Sequence, residues 1–311
     1  MSCKDEMTNM EKIRLCQEIV DEIQTENRQP MCRLQFSQGF FGITDSHIGG
    51  VPYLPRNEAY PIGEGGQPLW LCAQINFAQM PPMENFPKEG ILQFFLSDWN
   101  YDGGFGLYSE TDGTVQNQWR VCWYPEIDST VNEAECLVKM PVLWADGTEL
   151  WRTPGEPLKM DFLPIEQEGV NHEDFRFDVL FAAALKKHLP EANPKMFTPY
   201  GLWDETPQNR ESPNMKALER ILKQIECGGC KIGGYPRYLQ DDPRLYGDDL
   251  PAWDILLFQL DDDTFTYAAG DIGDMALNLN GGTLNFLIRS QYHQLCWWFA
   301  LALQGQFYIS A

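Results

Sequence analysis

Apolar residues near the N-terminus recur at steps of three and four positions, which is the spacing of one face of an α-helix. The apolar set is Met10, Ile13, Cys16, Ile19, Val20 and Ile23. Charged residues occupy the other face, so the pattern predicts an amphipathic helix from about residue 5 to residue 26. We treat residues 1–30 as an N-terminal helical element that packs on the body of the protein; binding of a partner by this helix is the less favoured alternative.

From residue 33 to residue 151 the pattern changes to short apolar runs that are separated by Gly, Pro and Asn. Examples are LWLCAQINF (69–77), GILQFFLSD (90–98) and WRVCWYP (119–125). Each run has the length of a strand, is rich in aromatic residues and is bounded by turn residues. This segment therefore predicts a series of short β-strands.

Two helices are predicted in the middle of the chain. Asn171 can cap the first, which is expected over residues 172–189. Ser212 can cap the second, which is expected over residues 213–226 with a proline in the first helical position. The segment between them, residues 190–214, is rich in Pro and Asn and is predicted to be a loop.

Three motifs occur twice in the same order. The first copy reads IGGVPYLP (48–55), LCAQINF (71–77) and GILQFFLSD (90–98), and the second reads IGGYPRYL (232–239), LLFQLDDD (256–263) and GTLNFLIRS (282–290). The offsets are 234 − 50 = 184 for the second glycine, 259 − 74 = 185 for the glutamine and 282 − 90 = 192 for the glycine of the third motif. Such nearly constant offsets predict a duplicated β unit.

The fold class that follows is mainly β, with α+β at the margin. We expect roll-like antiparallel sheets built from the duplicated β unit, together with the N-terminal helix and the two central helices. Residues 31–311 are predicted to form a single domain, in which repeats at about 31–150 and 227–311 are joined by the helical middle segment. Neither repeat is long enough to bury both faces of its own sheet, so the two should share one core.

Charge and cysteine usage narrow the classes of function. The 311 residues include 23 Lys and Arg against 45 Asp and Glu, a net charge of −22. Nucleic acids and anionic membranes would be repelled, so neither is expected as a partner, whereas a basic protein would be attracted. Nine scattered cysteines, no secretory signal and no apolar run of about 18–20 residues predict a reduced cytoplasmic protein.

Acidic residues cluster in the second repeat and form the candidate partner-binding site. The cluster consists of Asp241, Asp242, Asp248, Asp249, Asp261, Asp262 and Asp263. A calcium loop would carry carboxylates at alternating positions, and these runs lack that template. We interpret them as a solvated acidic rim; binding of a basic protein there is the main alternative, and binding of a divalent cation is the other.

A second candidate site is a pocket between the repeats that involves His47, Gln74 and Gln259. Both glutamines lie within apolar runs, and a buried amide must be hydrogen-bonded. We expect each amide to bond a neighbouring loop or bulge; convergence of both on a ligand is the alternative. His47 is expected to be an exposed loop imidazole, although pairing with Asp45 could supply an acid–base site.

The sequence assigns no catalytic residue, no metal and no cofactor. Cys227 and Cys230 form a C-x-x-C pair, but a zinc ribbon needs a second pair at a compatible spacing and the other cysteines do not supply one. The pair is interpreted as the C-terminal end of the second central helix. None of the common hydrolase, metalloprotease or phosphate-loop motifs occurs.

The repeated motifs resemble a known family. IGG-x-P, a strand of the form L-x-x-Q-I/L, G-I-L-x-F-F-L, a second GG-x-P, the block GDIGD (270–274) and a Trp-rich C-terminus occur in this order. Over about residues 30–311 the chain is similar to the YwqG-like family of bacterial proteins, also called the domain-of-unknown-function 1963 family. The resemblance implies a mainly β, roll-like fold and no established catalytic residues. Since some members occur near polymorphic-toxin loci, it also implies a role in toxin immunity.

Two hypotheses of function remain. We favour a non-enzymatic cytoplasmic protein that uses an acidic face to bind a basic protein, as an immunity protein would. The alternative is an enzyme, or a binder of a small ligand whose identity the sequence does not give, with its site between the repeats. A pocket with convergent polar groups would favour the alternative.

Overall fold

Five helices and eleven strands form in the part of the chain that the computed structural model describes, residues 7–63, 65–97, 116, 119–141, 157–207, 209, 211–239, 242–246, 253–261, 283–289 and 299–304. The helices are α1 (Asn9–Glu26), α2 (Glu133–Lys139), α3 (Phe177–His188), α4 (Pro199–Glu205) and α5 (Pro213–Gln224). The strands are β1 (Arg28–Ser37), β2 (His47–Ile48), β3 (Trp70–Asn76), β4 (Ile91–Leu96), β5 (Trp119–Tyr124), β6 (Leu158–Phe162), β7 (Glu166–Gly169), β8 (Lys231–Gly233), β9 (Ile255–Asp261), β10 (Thr283–Ile288) and β11 (Phe299–Gln304). None of the helices in these ranges is long and apolar enough to cross a membrane.

Packing divides the chain into two compact units. Unit 1 consists of Met1–Gln29, Gln167–Gly228 and Gly234–Pro251, and unit 2 consists of Pro30–Glu166, Gly229–Gly233 and Ala252–Ala311. Unit 1 contains α1, α3, α4 and α5, whereas unit 2 contains α2 and most of the strands. The N-terminal helix and the helical middle segment of the chain therefore belong to the same unit.

Helix α1 confirms the periodic pattern at the N-terminus. It begins after Thr8, whose hydroxyl accepts a bond from the Glu11 N–H while the Glu11 carboxylate accepts one from the Thr8 N–H. The expected apolar positions from Ile13 to Ile23 are buried in the core of unit 1, but Met10 is 44% exposed. Helix α5 likewise begins after its predicted cap, Ser212, and buries its apolar face in the same core.

Helix α3 begins at Phe177, five residues later than the sequence indicates. Asn171 accepts a bond from the Glu173 N–H, as a cap would, but the chain then makes turns instead of a helix. The reason is Asp174, whose side chain accepts the Arg176 N–H and binds the guanidinium groups of Arg176 and Arg244. These bonds hold residues 174–176 in a turn, and a helix that ran through Asp174 would break them.

Two short helices were not predicted. Helix α2 begins after Asn132, which forms a capping box with Glu135, and helix α4 begins after Thr198, with Pro199 in the first helical position. Helix α4 lies within the segment that was expected to be a loop. Both helices have only seven residues, which is too short for a hydrophobic period to stand out.

Ten of the strands form an antiparallel sheet in unit 2, with the order β11-β10-β9-β8-β1-β6-β2-β3-β4-β5. Phe94 of β4 contacts Phe258 of β9 and Phe286 of β10, at ring-centroid distances of 4.8 Å and 4.4 Å. Since β4 and β9 stand on opposite sides of β1 in the order, the sheet must curl until one face encloses the core. The mainly β to α+β fold class with antiparallel sheets is thereby confirmed.

Every residue of β3 and of β4 is buried, because both faces of these strands are covered. One face, which includes Phe94, lines the enclosed core. The other face packs under α2 and under the segment that follows the first glycine pair, Gly49 and Gly50. Tyr53 and Cys136 lie in this second apolar cluster with Phe95 of β4. This covering explains why the two runs lack the polar alternate positions of a half-exposed strand.

Candidate functional site

An open cleft of about 960 Å³ lies in unit 1. It is lined by residues between 172 and 179, by residues between 193 and 204, and by Leu239, Asp242 and Leu245. The first stretch contains the turns before α3 and the first residues of that helix. The second contains α4 and the residues just before it, and the third follows the second glycine pair, Gly233 and Gly234. A cleft of this size can take a drug-sized molecule or a few residues of a peptide.

A buried ionic network stabilises the wall of the cleft. The Arg244 side chain is 2% exposed, and one of its nitrogens lies 2.8 Å from Asp174 and 2.7 Å from Asp242. Asp174 also accepts a bond of 2.6 Å from Arg176, and Asp242 accepts one of 2.9 Å from the Phe175 N–H. The network therefore ties the turns before α3 to the segment around residues 242–244.

Two aromatic rings lie close to the Arg244 guanidinium. The Arg244 guanidinium lies 4.7 Å from the centroid of Phe175 and 5.6 Å from that of Tyr238. Burial opposes ionisation of Asp174, but the hydrogen bonds from Arg176 and the charges of Arg244 and Arg176 outweigh it, so the pKa of Asp174 lies below its ordinary value. Asp174 is thus a fixed anion, already matched by cations of its own unit.

His172, Glu173 and Tyr200 meet at the edge of the cleft. The His172 Nε2 lies 2.8 Å from the Tyr200 hydroxyl and 3.4 Å from the Glu173 Oε1, while its Nδ1 lies 3.2 Å from the Ile225 carbonyl oxygen. Burial and the nearby charges of Glu173 and Glu226 raise the pKa of Tyr200. The phenol therefore stays protonated and acts as a hydrogen-bonding group rather than a nucleophile.

Two further carboxylates and three apolar side chains form the exposed rim of the cleft. Asp178 and Asp204 are exposed, and within the described ranges neither has a Lys or Arg partner. Val179 is 70% exposed, Leu245 59% and Tyr200 50%. We call these five residues the cleft rim. Lys195 is the one Lys or Arg among the described lining residues, so the free charge of the rim is negative.

Two of the seven candidate partner-binding aspartates are buried, which corrects the expectation that they lie on an exposed acidic face. Asp242 is 1% exposed and belongs to the ionic network, and Asp261 is 0% exposed and accepts a bond of 2.7 Å from the Gly229 N–H. The sequence shows only runs of aspartates, and it does not indicate these bonding partners. The other five, Asp241, Asp248, Asp249, Asp262 and Asp263, and the block GDIGD (270–274) lie outside the described residues.

His47 is buried, so its expected exposed position is wrong. Its ring stacks on Phe41, and its Nδ1 lies 2.6 Å from the Gly49 carbonyl oxygen. Burial lowers the pKa of His47 to about 4, although the Gly49 carbonyl and the charge of Asp45 favour the protonated form. The Asp45 carboxylate binds the Gly42 N–H and the Gln79 amide instead. The imidazole is therefore a neutral structural group.

The two candidate glutamines bond neighbouring loops, as expected. The Gln74 Nε2 donates to the carbonyl oxygens of Ile43 and Asp45, and the Gln74 Oε1 accepts the Tyr53 N–H. The Gln259 Nε2 donates to the Gly229 carbonyl oxygen over 2.8 Å. Each amide thus fastens the chain just before a glycine pair.

Equivalent positions of the two motif copies make equivalent bonds. Gln74 reaches the carbonyl of residue 45 and Gln259 that of residue 229, and 45 + 184 = 229. The Asn76 N–H donates to the Ser46 Oγ, and the Asp261 N–H donates to the Cys230 Sγ, with 46 + 184 = 230. The φ angles of the paired glycines also agree, at 64° and 75° for residues 49 and 50 and at 73° and 71° for residues 233 and 234. The duplication stays a prediction that these bonds support.

The same comparison assigns a structural role to Cys230, because it stands where the first copy has a serine. Cys227 is also buried, and its thiol donates to the Gly169 carbonyl oxygen over 3.3 Å. Helix α5 ends at Gln224, so the C-x-x-C pair lies beyond the helix end that it was expected to form. Within the described ranges, no group of three His, Cys, Asp or Glu side chains is arranged to hold a metal ion.

The cleft itself was not found from the sequence. Its residues come from three separate segments, and each taken alone looks like a surface turn or a helix start. From the sequence, Asn171 is expected only to cap a helix. The one local signal in the sequence is an apolar residue, Val179, directly after an acidic one, Asp178; the exposure of Val179 is known only from the structure.

Among curated proteins, no sequence matches the chain. A family model described as a domain of unknown function (DUF1963) matches residues 46–292, which include both copies of the repeated motifs and the cleft. The chain therefore belongs to the DUF1963 family.

Proposed function

We propose that this protein binds a basic protein and that the cleft of unit 1 receives a short segment of that partner. The observation that carries the proposal is the cleft rim, where Asp178 and Asp204 have no cationic partner within the described ranges and lie on the same cleft as exposed apolar side chains. A peptide with both arginines or lysines and apolar residues matches this surface.

Charge supports a cationic partner. The described lining residues include five carboxylates, of which Asp174 and Asp242 are matched by the buried arginines. Glu173, Asp178 and Asp204 remain, against Lys195 alone. The net charge of the whole chain, −22, would also steer a basic partner toward the protein and raise the association rate.

Apolar exposure supports a protein or peptide rather than a small inorganic ion. Val179, Tyr200 and Leu245 are all at least half exposed and all line the same cleft. Soluble monomers rarely expose clustered apolar side chains unless the patch is an interaction site. Aromatic and aliphatic side chains at the centre of an interface contribute most of its binding energy.

The proposal also extends the acidic-face hypothesis. Asp241, Asp248 and Asp249 flank, in sequence, the segment that contributes Asp242 and Leu245 to the cleft. On the resemblance of the motifs, we extend the proposal to a YwqG-like protein of the bacterial cytoplasm that neutralises a basic toxin. The seven described cysteines, Cys16, Cys32, Cys72, Cys122, Cys136, Cys227 and Cys230, form no disulfide with one another, which supports that compartment.

The alternative of an enzyme or small-ligand site between the repeats has less support. The amides of Gln74 and Gln259 are already bonded to backbone carbonyls, so they have little bonding capacity left for a ligand. The His47 Nε2 has no hydrogen-bond partner among the described residues, but the ring is 0% exposed and burial lowers its pKa to about 4, which makes it a weak base.

The test measures binding of fluorescein-labelled peptides by anisotropy. One peptide alternates Arg and Leu, one alternates Arg and Ser, and one alternates Glu and Leu. We expect the Arg–Leu peptide to bind most tightly, the Arg–Ser peptide more weakly and the Glu–Leu peptide not at all. Spermidine in excess distinguishes a small cationic ligand, because it should compete poorly if the apolar rim contributes.

The variant Leu245→Ser tests the apolar half of the surface. It should weaken the Arg–Leu peptide severalfold and leave the Arg–Ser peptide nearly unchanged. Val138→Ser is the matched control, because Val138 is 87% exposed on α2 of unit 2. Equal effects of the two variants, or equal affinity for all three peptides, would overturn the proposal.

A further inference from the structure

We propose that His172 makes the cleft a proton-linked binding site: protonation of its Nε2 weakens uptake of the basic segment, and uptake of that segment expels the proton. This inference rests on the proposed function and concerns the regulation of the same site. It follows from the hydrogen-bond partners of the imidazole, which fix the tautomer of its neutral form.

The Ile225 carbonyl oxygen can only accept a hydrogen bond, so the His172 Nδ1, which lies 3.2 Å from it, carries the hydrogen. A neutral imidazole has a single N–H, and the Nε2 is therefore an acceptor. The Tyr200 hydroxyl, 2.8 Å away, donates to it. The neutral ring thus bonds through both nitrogens, and Tyr200 of α4 is held against the turns before α3.

Glu173 is positioned to bind the protonated ring. Its Oε1 lies 3.4 Å from the His172 Nε2, where the neutral ring offers it no hydrogen. Its Oε2 accepts the Tyr238 N–H over 2.7 Å and the Asn171 amide over 3.4 Å. The carboxylate is consequently held beside the imidazole in either protonation state.

Protonation changes two properties of the cleft at once. A hydrogen on Nε2 turns the contact with Glu173 into an ion pair, which removes one of the three carboxylate charges that the buried arginines leave unmatched. Nε2 also ceases to accept the Tyr200 hydroxyl hydrogen, so that hydroxyl must rotate to turn its hydrogen away from the ring. The positive charge on the ring and the pairing of Glu173 both reduce the attraction of the cleft for a cationic segment.

The titratable groups in contact with His172 among the described residues are Glu173 in its own turn and Tyr200 on α4. Glu226, after α5, acts through its charge on Tyr200 and lies 3.6 Å from Arg237. Histidine is the side chain whose charge most often changes near neutral pH, so the linkage is tested between pH 5.5 and pH 8. By reciprocity, a proton that weakens binding of the cation is expelled when the cation binds.

The experiment measures the affinity of the Arg–Leu peptide, which contains no histidine, at pH 8 and pH 5.5 and at constant ionic strength. We expect the wild type to bind at least threefold more weakly at pH 5.5. His172→Asn keeps a donor for Ile225 but does not titrate, so its affinity should not change between the two pH values. His188→Asn is the matched control, because His188 lies on α3 of the same unit with a side chain 40% exposed, and it should retain the wild-type pH dependence.

Glu173→Gln supplies a second, independent variant. Its amide oxygen can still accept the Tyr238 N–H, but its side chain carries no charge for the proton to neutralise. At pH 8 it should bind the peptide about as weakly as the wild type does at pH 5.5, with little further loss on acidification. In parallel, the NMR titration of the His172 ring should move to lower pH when the peptide saturates the protein.

The outcomes separate the two proposals. If the peptide does not bind at pH 8, the proposed function fails and the linkage fails with it. If the peptide binds but His172→Asn keeps the pH dependence of the wild type, or if the His172 titration does not move, the proton-linked site is wrong and the proposed function stands.

Discussion

Replacement of Arg244 by Met is the sharpest perturbation of the structure that forms the cleft. The Arg244 guanidinium binds Asp174 and Asp242, whose side chains are both 0% exposed. Methionine keeps most of the apolar stem but removes the positive charge. Among the described residues, Asp242 would retain the backbone N–H donors of Phe175 and of residue 244 itself, and Asp174 would retain Arg176.

The magnitude follows from the burial of these carboxylates. Removal of one partner from a buried ion pair destabilises a protein by about 3–5 kcal/mol, because a charge is left in a site that water cannot reach. A domain is typically stable by about 5–15 kcal/mol, so Arg244→Met should cost unit 1 a large part of its stability. The loss should also free the segment around residue 244 from the turns before α3.

The assay is urea denaturation followed by tryptophan fluorescence and by circular dichroism. Arg56→Met is the matched control, because Arg56 also pairs with two carboxylates, Asp128 at 2.5 Å and Glu135 at 3.1 Å, but its side chain is 45% exposed. Exposed pairs contribute little, so this variant should shift the urea midpoint far less. Equal shifts in the two variants would refute the reasoning that burial makes the Arg244 network important.

Three further outcomes are expected. Burial lowers the pKa of His47 to about 4 from an ordinary value of 6.5, so the unfolded chain binds the proton first as the pH falls. The free energy of unfolding should therefore drop by about 3 kcal/mol between pH 6.5 and pH 4. His47→Asn should remove this part of the pH dependence in denaturation curves. Gln74→Leu and Gln259→Leu should both destabilise unit 2, by about 1–3 kcal/mol for each backbone group left without its bond, and a variant as stable as the wild type would contradict the anchoring role of that amide. The pKa of Asp174 lies below its ordinary value, so its contribution is present above about pH 4 and lost on further acidification, and Asp174→Asn should flatten the acid limb of the stability profile.

Much of the fold could be predicted because its signals are local. The strands β3, β4, β5, β9 and β10 are apolar runs between turn residues, and α1 and α5 combine a clear period with a cap. The glycine pairs reveal their turns because positive φ angles favour glycine. In each case the decisive interaction partners lie within a few residues.

The predictions that were wrong or missed involve interaction partners that lie far away in sequence. The late start of α3 depends on Arg244, which binds Asp174 from 70 positions away in sequence. His47 is buried because a strand of two residues pairs with β3 on one side and β6 on the other, and so short a strand has no visible period. Asp242 and Asp261 look like members of solvated acidic runs until their distant partners are known.

The most direct test of the cleft as a binding site compares two variants of equal charge. Asp178→Asn/Asp204→Asn removes two exposed carboxylates from the cleft rim, and Glu84→Gln/Glu89→Gln removes two exposed carboxylates from unit 2. Anisotropy of the labelled Arg–Leu peptide at low salt measures both affinities. Exposed charge pairs contribute about 0.2–1 kcal/mol each, so the first variant should bind roughly 2- to 30-fold more weakly, while the second should bind nearly as the wild type does. Equal losses in both variants would show that only the overall charge attracts the peptide, and the cleft would not be its site.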